Sequence, residues 1–258
     1  MIVTDDTQRE ALFAAGKRLR AVLDAVLARV AVGVLVKSLD ALAHTLIIDG
    51  GDTPSFLGYQ PLGMAKQYPA TLCVSLNDAV VHGVPQEGVA LQEGDVLSVD
   101  CGLVHKGVFV DAACTVIVGE GDDQARALLE ANRKALRYAL VFARAGATTG
   151  DIGNAVETVA QEYGFVAPPE LGGHGVGNAQ HEEPFLPNLG DPGGGETLQE
   201  GQVLAIEPIF FEGEDSQIVT ADDGFTYRTM SGKRSSHFEH TVLVTEETPV
   251  LVTGPMWE

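Results

Sequence analysis

The chain contains 258 residues, of which 45% are hydrophobic and 20% charged, a composition typical of a globular protein with a sizeable core. The formal net charge of −20, from 16 basic and 36 acidic side chains, argues against direct binding to nucleic acid, which requires Lys and Arg to neutralise phosphates. No apolar run approaches the roughly 18 residues that cross a bilayer, so we expect no membrane contact.

The N-terminal residues, MIVTDDTQRE, are acidic and polar. They lack the basic and then apolar pattern of a secretory signal, so we expect the protein in the cytoplasm. Cys73, Cys101 and Cys114 show no CxxC spacing. An odd number of scattered cysteines in that compartment predicts buried thiols rather than a disulfide framework.

Apolar residues at helical spacing predict helices over residues 7–31, 38–48, 122–143 and 151–163, with Asp151 as the N-cap of the last. The Gly- and Pro-rich segment 50–63 predicts a loop. Strands are predicted within residues 73–85, 96–104, 108–118, 203–211 and 238–245.

Both halves of the chain follow the same plan of a long helix, a Gly-containing break, a shorter helix and strands. Residues 33–47 and 146–160 form a weak internal repeat, although amphipathic helices also resemble one another by chance. No long Pro-, Gly- or Ser-rich linker separates the halves. We therefore predict one α+β catalytic domain over residues 1–258, with halves related by a pseudo-twofold axis.

Asp100 and Asp111 interrupt two apolar strand patterns. A turn centred on His105 and Lys106 places them directly opposite each other, where like charges are destabilising. A divalent cation between them would compensate, since hard cations take oxygen ligands. The alternative is a slipped register in which one aspartate is solvated.

The segment GGHGVGNAQHEEP (172–184) contains His174 among glycines, which let the backbone bend tightly and approach a ligand, and then His181. Glu207 and Glu239 each interrupt a further apolar strand, and buried glutamates need a partner. Four carboxylates and one histidine suit Mn²⁺, Co²⁺, Fe²⁺ or Zn²⁺ better than a thiolate-rich structural zinc site does. Their combined charge would balance two divalent ions, an arrangement typical of hydrolysis by a hydroxide shared between two metals.

Six blocks of the sequence together resemble the type I methionine aminopeptidases, the compact members of the pita-bread metallopeptidases, over almost the full length. The blocks are SLNDAVVHGVP (75–85), GDVLSVDCG (94–102), FVDAACTVIVG (109–119), GGHGVGNAQHEEP (172–184), VLAIEPIF (203–210) and FEHTVLVT (238–245). The resemblance implies a curved antiparallel sheet flanked by helices, with the metals in its concavity. It also implies removal of N-terminal methionine from peptides and nascent proteins.

By this resemblance, the ligands of the two ions are Asp100, Asp111, His174, Glu207 and Glu239. Asp111 and Glu239 would bridge the ions. His82 would lie near the amine of the substrate and its scissile amide, although the residues around it also permit a turn histidine. His181 would hydrogen-bond the scissile carbonyl, and Glu207 would shuttle a proton to the leaving amine.

The methionine pocket matches the family less well than the metal site does. Tyr68 and Cys73 match pocket positions, Gln180 replaces an aromatic residue, and Phe225 stands where tryptophan is common. Leu62 and Ala65 stand where cysteine and tyrosine are frequent. Each lost apolar contact weakens discrimination by about 1–3 kcal/mol, so we predict relaxed or shifted specificity.

Two alternatives remain at this stage. An X-prolyl aminopeptidase or dipeptidase of the same fold usually carries an additional N-terminal domain and a glycine after the IEP motif, where this chain has Ile209. A non-enzymatic binding module on the same scaffold would typically have lost metal ligands. We expect a monomer that acts on N-terminal peptides, including nascent chains at the ribosome.

Overall fold

The computed structural model describes residues 1–60 and 66–257, so the predicted pocket positions Leu62 and Ala65 lie outside the described residues. The helices are α1 (Asp6–Leu27), α2 (Val36–Asp49), α3 (Asp123–Val141) and α4 (Thr149–Tyr163). The strands are β1 (Thr53–Pro54), β2 (Leu72–Leu76), β3 (Ala79–Val81), β4 (Val96–His105), β5 (Val108–Ile117), β6 (Gly172–Gly175), β7 (Glu182–Pro187), β8 (Val203–Ile206), β9 (Ile209–Phe211), β10 (Ile218–Thr220), β11 (Tyr227–Thr229), β12 (Ser235–His237), β13 (His240–Leu243) and β14 (Val250–Leu251).

Two antiparallel sheets, one from each half of the chain, form the framework. In the first, β4 pairs with β1, β2 and β5; the second has the order β14-β13-β8-β6-β7. Helix α1 packs on β4 and β5, whereas α4 packs on α3 and β7. A common apolar core extends from Leu12 in α1 to Trp257. The predicted combination of helices with antiparallel sheet is confirmed.

The hairpin of β4 and β5 has a different register from the predicted one. Its turn consists of Lys106 and Gly107, which both have positive φ angles (50° and 82°), so Asp100 pairs with Ala113 and Asp111 with Gly102. This two-residue turn matches the twist of the flanking strands. The predicted direct opposition of the aspartates was therefore wrong. Because the register differs by two residues, both carboxylates still lie on one face, as diagonal neighbours.

The two glutamates lie in breaks between strands rather than inside strands. Strand β8 ends at Ile206 and β9 begins at Ile209, because Pro208 has no N–H to donate to a ladder. Glu239 likewise lies between β12 and β13. The predicted strand 203–211 is thus two shorter ones, whereas 238–245 contains β13 alone, and the breaks place both carboxylates at the ends of strands.

The structure also bears on the cysteines, on a membrane-spanning helix and on the N-cap of α4. The cysteines are free and buried, as predicted. No helix within the described part of the chain has the length and apolarity to span a membrane. Asp151 was wrongly predicted to cap α4: the N-cap is Thr148, whose Oγ1 accepts from Asp151 N (3.2 Å) while Asp151 Oδ2 accepts from Thr148 N (2.8 Å). Both residue types favour caps, and the pattern alone does not decide between them.

Thr148→Ala should destabilise the protein by about 1 kcal/mol, because the cap bond to the start of α4 is lost. The Tm should fall by about 2–4 °C in a thermal unfolding experiment followed by circular dichroism. Thr158→Ala is the matched control, since that exposed hydroxyl bonds only to the Asn154 carbonyl within the same helix. Equal changes in Tm for the two variants would contradict the assigned cap.

Candidate metal centre

A seam between the two sheets brings the acidic side chains of Asp111 and Glu239 together. Asp111 N donates to Thr241 Oγ1 (2.9 Å), and the same hydroxyl donates to Asp111 O (2.7 Å). Glu239 N donates to Ala113 O (2.9 Å). These bonds join β5 to the segment around β13, so residues far apart in sequence lie side by side.

Five predicted ligands converge at this seam. Donor atoms of Asp111, His174 and Glu239 all lie within 4.8 Å of one another. Glu207 Oε1 lies 3.7 Å from His174 Nε2, and the carboxyl of Asp100 contacts that of Asp111. The structure therefore places all five residues in one cluster.

The cluster is deeply buried and short of positive charge. Asp100, Asp111 and Glu239 are 8%, 4% and 2% exposed, respectively. One oxygen of each (Asp100 Oδ1, Asp111 Oδ1 and Glu239 Oε1) has no hydrogen-bond partner. Within residues 1–60 and 66–257, these carboxylates and Glu207 form no ion pair with Lys or Arg. Unpartnered buried carboxylates are costly, so this donor set fits a divalent cation.

The pKa values of the carboxylates reflect the same shortage of positive charge. Burial raises the pKa of Asp100 to about 6. Burial, reinforced by neighbouring carboxylates, raises the pKa of Asp111 and of Glu239 well above the ordinary range. Burial also acts to raise the pKa of Glu207, but the hydrogen bond to His237 together with the nearby His174 and His181 lowers the pKa overall. Glu207 is thus the carboxylate of the cluster most readily kept ionised.

His237 belongs to the site and was missed in the sequence. Its Nε2 lies 3.1 Å from Glu207 Oε2 and 3.9 Å from Glu239 Oε2, and Glu207 raises its pKa against the opposing effect of burial. Thr115 Oγ1 accepts from His237 N (2.9 Å) and donates to His237 O (2.6 Å). The signal was its position two residues before Glu239, the spacing that puts side chains on one face of an extended chain.

The glycines around His174 allow close packing of strands rather than the predicted tight bend. A Cβ on Gly173 would lie 2.2 Å from Ala205 O, and one on Gly175 would lie 2.2 Å from Glu183 O. His174 Nδ1 lies 2.9 Å from Gly175 O. A carbonyl oxygen only accepts, so Nδ1 carries the hydrogen and Nε2 keeps the lone pair that a metal requires.

The two remaining histidines lie beside the carboxylates. The ring of His181 is 4.5 Å from that of His174 and remains open to solvent on one side. Its Nδ1 lies 2.8 Å from the hydroxyl of Tyr59, a contact that was not predicted. His82 has a φ of 56°, and its ring lies 5.5 Å from that of Tyr227. Such a backbone conformation is uncommon for a non-glycine residue and is often found at functional sites.

An apolar cluster of side chains, at the positions predicted to form the methionine pocket, adjoins the acidic cluster. Tyr68, Cys73 and Phe225 pack with Phe56, which the sequence prediction missed, and the rings of Tyr68 and Phe225 meet edge to face at 5.4 Å. The Tyr68 hydroxyl donates to Gly83 O (2.9 Å), so a hydrogen bond connects this apolar cluster to the residue that follows His82. Gln180, also predicted in the pocket, donates a hydrogen bond to Asp111 instead of lining it with apolar atoms.

Comparison with known proteins agrees with this geometry. The profile of "Metallopeptidase family M24" matches residues 10–246. The chain belongs to metallopeptidase family M24. It is 42% identical to the methionine aminopeptidase of Aquifex aeolicus, with 90% of each chain covered. It is also 42% identical to methionine aminopeptidase 1 of Mycobacterium tuberculosis, with 95% of this chain and 91% of the relative covered.

Solved structures confirm the predicted pita-bread fold. The methionine aminopeptidase of Thermotoga maritima superposes on this M24 metallopeptidase with a TM-score of 0.93, at 36% identity, with 99% and 100% of the chains covered. A prolidase from Pyrococcus furiosus reaches a TM-score of 0.77 at 20% identity, which shows a common fold alone. The resemblance to methionine aminopeptidases, and with it a metal-dependent aminopeptidase activity, is confirmed.

Asp111→Asn should stabilise the metal-free M24 metallopeptidase at about pH 7.5, because it removes one of the mutually repelling buried carboxylates. The Tm should rise by about 2–4 °C for each kcal/mol of repulsion relieved. The folded state holds the Asp111 proton more tightly than the unfolded state does, so wild-type stability falls as pH rises and the gain should shrink at about pH 5. Calorimetry of EDTA-treated protein measures both effects.

The matched control is Asp123→Asn, since the Asp123 side chain is fully exposed. That variant should leave the Tm nearly unchanged at both pH values. Adding Co²⁺ should stabilise the wild type and the control but not Asp111→Asn. Equal stabilisation of all three proteins would exclude Asp111 as a ligand.

Proposed function

We propose that the acidic cluster and the adjoining pocket together hydrolyse the first peptide bond of chains that begin with methionine. The observation that carries this proposal is the convergence of four carboxylates and His174 beside a cluster of aromatic and thiol groups. The relatives named methionine aminopeptidases support it, because they match the chain over nearly its whole length.

Two divalent ions fit the cluster better than one does. Asp100, Asp111, Glu207 and Glu239 carry four negative charges when ionised, and two dications would neutralise them. Asp111 and Glu239 each have a buried, unpartnered oxygen and their donor atoms lie within 4.8 Å of each other, so both would be available to hold the ions. When bound, the ions would activate a water molecule as nucleophile and polarise the scissile carbonyl. Which metal is used depends on availability as much as on these ligands.

Glu207 is the residue that moves the proton. Its contact with His237 keeps it ionised, so it can accept a proton from the attacking water and pass it to the leaving amine. His237 then holds the carboxylate in position through its short contact with Oε2. The more deeply buried aspartates are better suited to holding cations than to exchanging protons.

His181 and His82 orient the substrate. Loss of solvation and the nearby His174 lower the pKa of His181, which favours a neutral ring. If the Tyr59 hydroxyl donates to Nδ1, then Nε2 carries the hydrogen and can donate to the scissile carbonyl as its negative charge develops. His82 lies close enough to Glu207 and His237 to interact electrostatically with both, a position that suits contact with the substrate amide.

The decisive assay uses metal-reconstituted protein and peptides that vary in their first two residues. We expect cleavage of Met-Ala-Ser, and the rates for Leu-Ala-Ser, Ala-Ala-Ser and Met-Pro-Ser will measure how strict the pocket is. Asp111→Ala should abolish the activity, whereas Asp123→Ala should retain it. A near-normal rate for Asp111→Ala would refute the site, and a preference for Xaa-Pro peptides would favour a prolidase-like activity.

Tyr59→Phe should lower kcat about tenfold with little change in KM, because His181 loses the contact that orients its ring. This is a fraction of the 10²- to 10³-fold loss expected when an entire oxyanion donor is removed, as in His181→Ala. Steady-state kinetics with Met-Ala-Ser separates kcat from KM. Tyr138→Phe, on the exposed face of α3, is the control; a kcat for Tyr59→Phe within twofold of that control would exclude the orienting role.

Several sequence predictions remain part of this proposal. We retain one catalytic domain over residues 1–258, because the apolar core includes residues of both halves. A monomeric state, the cytoplasm as location and nascent chains at the ribosome as substrates also stay predictions. The relaxed methionine specificity stays one as well, although Phe56 adds an apolar wall that the prediction did not include.

A further inference from the structure

Gln180 occupies an unusual place for an amide side chain. It is 1% exposed and its Nε2 donates a hydrogen bond to Asp111 Oδ2. As a metal ligand Asp111 would be ionised and could only accept, which matches the observed arrangement with the amide nitrogen toward Asp111 and the amide oxygen away from it. The orientation of Gln180 is therefore set by the acidic cluster itself.

The backbone opposite Asp111 leaves room for this arrangement. Gly102 is the cross-strand partner of Asp111. A Cβ on Gly102 would lie 2.1 Å from Ser55 Oγ and 3.2 Å from Gln180 Oε1. The space above this glycine is thus occupied by Ser55 and Gln180, and a larger residue would displace them.

The hydrogen bond divides the roles of the two oxygens of Asp111. Oδ2 is held by Gln180, whereas Oδ1 is buried without a partner. A neutral amide can restrain a carboxylate without bringing a positive charge that would compete with a bound cation. Hydrogen bonds to a ligand from outside the site commonly fix its orientation toward the metal.

We propose that Gln180 is a positioning residue that orients Asp111 for divalent metal binding, rather than a wall of the methionine pocket. This inference rests on the proposed metal function of the cluster. It assigns a chemical role to the amide where an aromatic residue would offer only apolar contact.

The test compares Gln180→Met with the wild type. Methionine keeps the length and burial of the side chain but removes the donor. Co²⁺ is titrated into EDTA-treated, dialysed protein and followed by calorimetry and by the visible absorption of the bound ion. We expect Co²⁺ affinity to fall about 10- to 100-fold, with an altered absorption spectrum, while KM for Met-Ala-Ser at saturating Co²⁺ stays within about threefold.

Asn188→Leu is the matched control. Asn188 is also a buried amide, but it bonds to the Leu171 carbonyl away from the acidic cluster. Its Co²⁺ affinity should equal that of the wild type. Should Gln180→Met fail to fold, Gln180→Asn serves instead, because it keeps the amide but withdraws it by one methylene, and the same loss of affinity is expected.

The results separate this inference from the proposed function. Unchanged Co²⁺ affinity and spectrum in the Gln180 variants would overturn the positioning role. A raised KM with unchanged affinity would overturn it as well and assign Gln180 to the pocket. A wild type that binds no Co²⁺ and cleaves no peptide would instead remove the proposed function on which the inference rests.

Discussion

Burial of mutually repelling carboxylates is the constraint around which this structure is built. Asp100, Asp111 and Glu239 lie almost out of contact with water, and His237, 3.9 Å from Glu239, can carry a compensating charge. Burial penalises each ionised form, and the neighbouring carboxylates add to that penalty at Asp111 and Glu239. A protein maintains such an arrangement when a cation completes it, and strained, destabilised groups of this kind concentrate at functional sites.

Hydrogen bonds from two threonine hydroxyls hold the cluster together across the two sheets. Thr241 bonds to both backbone groups of Asp111, and Thr115 does the same for His237. Each threonine thereby fixes the backbone of a residue on the opposite side of the seam. The precision of the site comes from rigid strands and from these hydroxyls, not from flexible loops.

The fold and the specificity have different origins. Prolidases share the pita-bread architecture with this chain at about half the sequence identity of its methionine aminopeptidase relatives. In this chain the two sheets place the acidic cluster at the seam. Under the proposed function, selection of the first residue is the role of the apolar cluster beside it, in which Phe56, Tyr68 and Phe225 pack with Cys73. Tyr68 connects the two regions, since its hydroxyl reaches the backbone just after His82.

Sequence alone predicted the helices, the family and the five residues that lie together in the cluster, because charged residues in apolar strands and a glycine-nested histidine are visible without coordinates. It could not determine the hairpin register, since a turn at Lys106 and Gly107 differs from the predicted turn by a single residue. It also missed His237, which directly precedes the FEHTVLVT block, and Phe56 and Tyr59, which lie in the segment 50–63 predicted only as a loop. Which way Gln180 faces was decided only by packing against Gly102 and Asp111. Local patterns specify which side chains are costly to bury, whereas only the assembled sheets determine which of those side chains meet.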